Sequence, residues 1–285
     1  TTTRVLVAGS ATAPVDLGGA IVGGSPSGFL AVYDVNGELA WARSVNAGAF
    51  ALALDLAGNA YVAGQWVGTT DVGAGPMEAH PSLLAFTFVA SYDPTGALRW
   101  VRVLSSTSQV DCLALALDTL RGRVYVGGMH TGAPDLGGGV RPMSAGTGAY
   151  LVALDLTTGS WAWDRTAVTP SGSESRLDGL AVDARTGSVI AVGSFIGSFD
   201  MGDARSAFTA NHGWVASYTT GADLEWLSVY GGGSDTRLEE VAVDPNDGTV
   251  LVAGRAKERF ERVPYAGGFS TEAPWAWYQG VLLAL

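Results

Sequence analysis

The chain has 285 residues, 47% of them hydrophobic and only 15% charged, with 40 glycines and a formal net charge of −11. That acidic balance argues against nucleic acid or an anionic membrane surface as a partner. A single cysteine, Cys112, excludes an intrachain disulfide, and no apolar run is long enough to insert in a bilayer as a helix.

The first element is a small-residue strand, Leu6-Val7-Ala8-Gly9, with Asp16 seven residues after its glycine. An aromatic-led strand follows, FLAVYD at 29–34, then a turn with Gly37 and a strand bearing Trp41. An Ala-rich strand closing in Asp comes next, ALALD at 51–55. The same succession then recurs. The glycine-ending strand returns at Tyr61–Gly64, Tyr125–Gly128, Ala191–Gly193 and Leu251–Gly254. The acid at Gly+7 returns as Asp71, Asp135 and Asp200, with Glu261 in the fifth register. The aromatic-led strand returns as FVASYD (88–93), YLVALD (150–155) and WVASYT (214–219), followed by turns at Gly96, Gly159 and Gly221. Trp100, Trp163 and Trp226 take the place of Trp41, and ALALD (114–118), GLAVD (179–183) and EVAVD (240–244) close the units. A fixed offset inside a variable period marks a structurally constant segment, with loops elsewhere absorbing the length changes.

Each unit offers four short strands of near period-2 alternation, which predicts an all-β fold. Four-stranded antiparallel units repeated around an axis make a β-propeller. A sandwich or open solenoid fits worse, because sandwich strands seldom repeat so closely and solenoid rungs are shorter. The Ala-rich strand has the small side chains a crowded axis needs, so we letter it a. The glycine-ending strand is then b, the aromatic-led strand c and the Trp strand d. Each Trp is expected to pack between blades rather than to stack a ligand. Turns a–b and c–d are short and Asp/Gly-rich, as in Asp93-Pro94-Thr95-Gly96. Connections b–c and d–a read as long and irregular (72–85, 105–111, 136–148, 169–176, 201–212, 230–237), and function in repeat folds favours such loops. The chain begins in b without a starting Met and ends in c, giving one domain, 1–285, with about five blade positions and incomplete terminal blades. The units run approximately over 4–49, 50–111, 112–176, 177–237 and 238–285. Either the ring closes with two short blades, or this is a segment of a longer propeller. The segment 255–280, with Trp275, Trp277 and Tyr278, loses the repeat and is expected to cover an open edge, unless another chain's strand does so.

DLAGNAYVAGQWVGTTDVG (55–73) followed by FVASYDPTGALRWVRV (88–103) resembles the SBBP repeat, the beta-propeller repeat of bacterial cell-surface and secreted proteins. The resemblance covers nearly the whole chain and weakens after Gly254. It implies a propeller, usually seven-bladed, in an extracytoplasmic bacterial setting. It brings no catalytic residues, because the family shares none.

Candidate chemistry is sparse. Asp16, Asp71, Asp135 and Asp200 would suit Ca²⁺ by residue type. Without a DxDxDG-type cluster, and with glycines two residues on, structural turns are expected and no metal or other cofactor. His80, His130 and His212 fall on different units, expected to be roughly 15 Å or more apart from sheet spacings of about 10 Å, so they read as scattered surface residues. Neither a G-x-S-x-G elbow nor HExxH occurs, and Cys112 reads as a buried, inert thiol. The residues entering strand a are richer. Asp111, Arg176, Asp178, Arg237, Glu239 and Glu240, with Glu174 and Asp235 beside them, should ring the axis on the long-loop face. They form the candidate ligand or partner site. The expectation is a non-enzymatic extracytoplasmic binding or scaffolding propeller with a protein partner or larger assembly. A carbohydrate-binding propeller, with a glycan partner, is the alternative, followed by an enzyme with its site at the channel mouth.

Overall fold

In the computed structural model, described for residues 4–24, 28–66, 68–78, 86–202, 204–258, 260–263 and 279–285, the chain is all-β with no helix among the described residues. Consecutive strands pair antiparallel into five meanders. The first holds Arg4–Ser10, Gly28–Asp34 and Leu39–Val45, in positions b, c and d. The second holds Gly48–Leu54, Ala60–Trp66, Phe86–Tyr92 and Leu98–Ser106. The third holds Gln109–Asp118, Arg123–Gly132, Ser144–Asp155 and Trp161–Thr166. The fourth holds Glu174–Val182, Val189–Asp200, Ala204–Tyr218 and Leu224–Gly232. The fifth holds Asp235–Val243, Val250–Lys257 and Gln279–Ala284, in positions a, b and c. Single parallel bridges, Thr147 to Glu174 and Asn211 to Asp235, join the last three into one continuous sheet.

The meanders stack face to face, and the core lies between them. Leu30, Val32 and Trp41 of the first meet Ala60, Val62 and Tyr92 of the second. Tyr61, Ala63 and Trp100 meet Val124, Val126 and Tyr150 at the next junction. Tyr125, Leu151 and Ala153 meet Val189, Ala191 and Trp214 at the third, and Ile190 and Val192 meet Val250 and Val252 at the fourth. This is why strand b reads as a nearly continuous apolar run: its alternate residues serve two different junctions, with neither face in water. Every inner strand also carries a one-residue bulge at the same register, at Phe50, Leu113, Asp178 and Glu239. Inner strands approach so closely that a Cβ on Gly179 would sit 2.9 Å from the Glu239 carbonyl oxygen.

A repeated latch ties the outer strands of the first three meanders to the next c–d turn. Trp41 packs on Gly96 and Tyr92, and Trp100 packs on Gly159 and Tyr61. The arginine two residues later donates to the same turn: Arg43 to the Gly96 carbonyl at 2.9 Å, Arg102 to Gly159 at 2.9 Å, Arg165 to Ala222 at 2.8 Å. Trp41 and Trp100 are therefore buried as expected. Trp163 is only half-buried and Trp226 is 37% exposed. Ser228 stands where the latch arginine stands elsewhere.

The acids at Gly+7 hold turns. Asp71 Oδ1 accepts from the amides of Gly73 (2.7 Å) and Gly75 (3.1 Å), and Asp16, Asp135 and Asp200 do likewise with the glycines that follow them. The tyrosine ending strand c donates to the carbonyl after that Asp: Tyr33 to Leu17, Tyr92 to Val72, Tyr218 to Met201. The b–c connections are thus pinned.

Several expectations need correction. The d–a links are not uniformly long: only 46–47, 107–108 and 233–234 separate the strands at three of the four junctions. Strand pairing continues up to a two-residue turn at each: Asn46-Ala47, Thr107-Ser108 and Gly233-Ser234. Gly221 lies in the turn of the fourth meander as expected, but the positive φ, 78°, falls on Ala222. His130 and His212 are buried rather than surface residues, while His80 lies outside the described residues. Segment 255–280 does not lose the repeat at once. Phe260–Val263 runs along Leu224–Gly232 of the fourth meander, as Pro134–Asp135 runs along Leu98–Ser106 of the second. Trp275, Trp277 and Tyr278 lie outside the described residues.

Candidate functional site

The bulge register places the charged residues. Asp111, Arg176 and Arg237 sit at equivalent positions of three successive inner strands, opposite Met129, Ser194 and Arg255 at the end of strand b. The bulge supplies one more residue, Asp178 or Glu239, beside its strand's arginine.

Arg176 and Arg237 share the wall of a cavity of about 250 Å³, with Glu174, Ser175, Ser194 and Asn211. Each guanidinium is partly exposed and holds a carboxylate two residues away. Arg176 is 2.6 Å from Asp178, and Arg237 is 3.3 Å from Asp235. Asn211 donates to Asp235 at 2.8 Å, which fixes that carboxylate from the neighbouring meander. Asp178 is drawn deeper than its partner. Burial raises its carboxyl above the ordinary value, opposed by Arg176 and reinforced by the negative charge of Glu239. Each guanidinium carries five N–H donors, and one carboxylate cannot use them all. Donors at both arginines therefore remain for a carboxylate or carbonyl entering the cavity.

The other expected residues lie around this pair. Asp111 is buried one meander away and accepts from Gln109 at 2.6 Å and from Gln65. Glu239 pairs with Arg255 at 3.2 Å in the open. Glu240 is exposed, stands opposite Ala253 and does not line the cavity. Reading strand a alone missed Gln65, Ser194 and Asn211. Gln65 and Ser194 follow the repeated glycine of strand b by one residue, so the b register held the signal. Asn211 had none, because only the parallel bridge to Asp235 brings it in.

Elsewhere, Cys112 is fully buried and its thiol is pushed up to about 12 by burial. Burial likewise lowers His130 to about 4, against the carbonyls of Ala167 and Gly132. Among the described residues no group of three or more His, Cys, Asp or Glu is arranged to hold a metal ion.

No protein-family model matches the chain, and no curated protein matches it. Solved structures similar to it include that of the Dos1 propeller, at 13% identity and a TM-score of 0.42, over 82% of this chain and 49% of the other. The chain therefore spans about half the length of that structure. Another is BamB from Moraxella catarrhalis, at 14% identity and a TM-score of 0.31, over 97% of this chain and 92% of the other.

Proposed function

We propose that the chain is a β-propeller module of five blade positions, with four-stranded inner blades, that serves as a non-enzymatic scaffold and binds a protein partner at the mouth of its axis. Face-to-face stacking of the meanders, with their small-residue strands innermost, supports the propeller. The SBBP-like segments at 55–73 and 88–103 support an extracytoplasmic bacterial setting. One observation carries the binding reading: Arg176 and Arg237, on adjacent inner strands, face one cavity among Glu174, Ser175 and Asn211. Two half-satisfied guanidinium forks beside amide and hydroxyl groups fit a polar loop carrying a carboxylate, the geometry arginine recognises best.

The test is site-specific photocrosslinking in bacterial cells that make the chain with a signal sequence. A photoreactive residue at Glu174 should trap a discrete protein adduct. The adduct should vanish in the Arg176→Glu, Arg237→Glu double variant. The same probe at Asn246, in the a–b turn at the far end, should trap none. Equal labelling at both ends, or no adduct at Glu174, would overturn the reading.

A further inference from the structure

At the rim, the junction between the third and fourth meanders is tied unlike the others. Five residues after the repeated Trp stand Asn46, Ser105, Val168 and Gly231. At this register an outer strand meets the acid-bearing segment of the next meander. Ser105 pairs with Asp135 and Gly231 with Glu261, backbone to backbone. Asn46 donates to the Thr69 carbonyl, two residues before Asp71. By the same count Val168 should meet Asp200. It does not: among the described residues Trp161–Thr166 pairs with Ser144–Asp155 alone. The cause lies in the fourth meander. Phe199 is buried against Phe195 and Trp214, with ring centroids 4.8 and 5.0 Å away. Phe199 and Asp200 pair with Arg205 and Ala204 of their own meander. The segment that elsewhere covers the outer strand is thus held inward. A cleft of about 570 Å³ remains, lined by Arg141, Asp164, Arg165, Thr166, Val168 and Asp200 among others.

This cleft presents backbone. Ala167 gives its amide to the Ala149 carbonyl at 2.8 Å, so by the alternation of an antiparallel pair the amides and carbonyls of Thr166 and Val168 turn outward. Val168 is 46% exposed. Among the described residues neither its amide nor its carbonyl has a partner. Arg141 spends Nε and Nη2 on Asp164, and Arg165 spends the same two atoms on the Ala222 carbonyl. Each keeps Nη1 for another acceptor.

We propose that this edge is completed by strand addition: an extended segment of a protein partner, carrying an acidic or amide side chain, lies along residues 164–168. Outward amides and carbonyls at every second residue match another extended backbone. Such a backbone covers the same register on Leu98–Ser106 and on Leu224–Gly232. Those covering strands bring an acid there, Asp135 and Glu261. The Nη1 donors of Arg141 and Arg165 suit a side chain of that kind in the open cleft. No residue lines both this cleft and the cavity at the axis mouth, and the proposal does not rest on what that mouth binds.

The experiment pans a phage library of random peptides on the full chain, with counter-selection on Val168→Pro. Proline there removes the outward amide, breaks no hydrogen bond among the described residues and suits an edge strand. Matching thermal melts show that the variant is folded. Enriched peptides, made synthetically, should bind Val168→Pro about tenfold more weakly than the wild type, the equivalent of one hydrogen bond. N-methylation should weaken binding at alternate peptide residues only, because every second amide of an added strand faces the edge. The Arg176→Glu, Arg237→Glu double variant should bind these peptides unchanged, which separates the cleft from the axis mouth. Amide hydrogen exchange at Val168 should be fast in the free chain and slowed by peptide. If the proline variant unfolds, panning without it and the exchange and N-methylation readouts decide. No enriched peptide, or an N-methylation scan without the two-residue period, overturns the proposal. So does a Val168 amide already protected in the free chain, because the edge is then filled by the chain itself.

Discussion

Replacing Trp100 with alanine tests the junction between the second and third meanders. Trp100 is 7% exposed, packs on Tyr61 with ring centroids 6.1 Å apart and donates to the Leu156 carbonyl at 3.2 Å. Burying an aromatic of this size removes roughly 200 Å² from water, ~5 kcal/mol at about 25 cal/mol per Å². Alanine recovers about 1 kcal/mol of that, and the lost hydrogen bond adds about 1 kcal/mol. Tyr61 also reaches the Leu156 carbonyl, at 3.4 Å, so this oxygen is not stranded. The expected loss is about 5 kcal/mol, at the upper end of the usual range for such truncations. Trp226, at the same register of the fourth meander but 37% exposed, is the internal control. Its removal should cost about 2 kcal/mol, in proportion to the smaller buried area. Urea unfolding followed by fluorescence and circular dichroism measures both, and the two signals must coincide for the free energies to hold. A Trp100→Ala loss no greater than that of Trp226→Ala would refute the packing argument.

Two other changes probe the same architecture. His130 is held near 4, below its ordinary 6.5, so the unfolded chain takes up a proton first as pH falls. Stability should therefore drop between pH 6.5 and 4 by about 3 kcal/mol, and His130→Leu should flatten that part of the profile in denaturant midpoints measured against pH. Arg102→Lys keeps the charge but loses the fork that reaches Gly159 at 2.9 Å and Thr158 at 3.0 Å. It should cost about 1 kcal/mol, and Arg102→Ala about 2 kcal/mol, with thermal melts as the measure. A lysine variant as stable as the parent would mean the fork does nothing.

The repeat was legible because it is written in local chemistry. Gly9, Gly64, Gly128, Gly193 and Gly254 mark one register, and a built Cβ on Gly128, Gly193 or Gly254 would lie about 2 Å from the inner strand's carbonyl oxygen. Asp93 caps its turn by accepting from the Thr95 hydroxyl and the amides of Thr95 and Ala97, which hold its carboxyl below the ordinary range. Such residues act within a few positions of themselves, so their spacing suffices to find them. The site was legible by half. Arg176 and Arg237 stood out as charges entering an inner strand, but Asn211 joins them only through pairing between meanders. Histidine burial was missed for the same reason. His212 rests on Phe208, with ring centroids 4.3 Å apart, and its surroundings are not evident from its sequence neighbours. The open edge at Val168 was equally hidden. Its register matches that of Ser105 and Gly231, and only the pairing inside the next meander decides.

Ala222 is where the repeat departs from its own rule. It occupies the register of Gly96 and Gly159, with its amide on the Thr219 carbonyl at 3.1 Å, as the Gly96 amide sits on Asp93 at 2.9 Å. Its φ of 78° is left-handed, which costs an alanine about 1–2 kcal/mol. The methyl group carries a second cost. At Gly96 and Gly159 a Cβ would come within 3 Å of the latch indole, and the corresponding Trp163 is the less buried one. Arg165 nevertheless donates to the Ala222 carbonyl at 2.8 and 3.0 Å, so the latch holds despite the methyl. Ala222→Gly should relieve the backbone strain and let the Trp163 ring settle further. Against this stands the larger backbone entropy of glycine in the unfolded chain, about 0.7 kcal/mol. The net expectation is a gain of about 0.5–1 kcal/mol, read as a raised urea midpoint with an unchanged slope. Hydrogen exchange of the Trp163 indole N–H, which donates to the Thr220 carbonyl at 2.8 Å, should be slower than in the parent. A loss of stability on Ala222→Gly would mean that the methyl group contributes more packing than strain, and that the latch register does not require glycine.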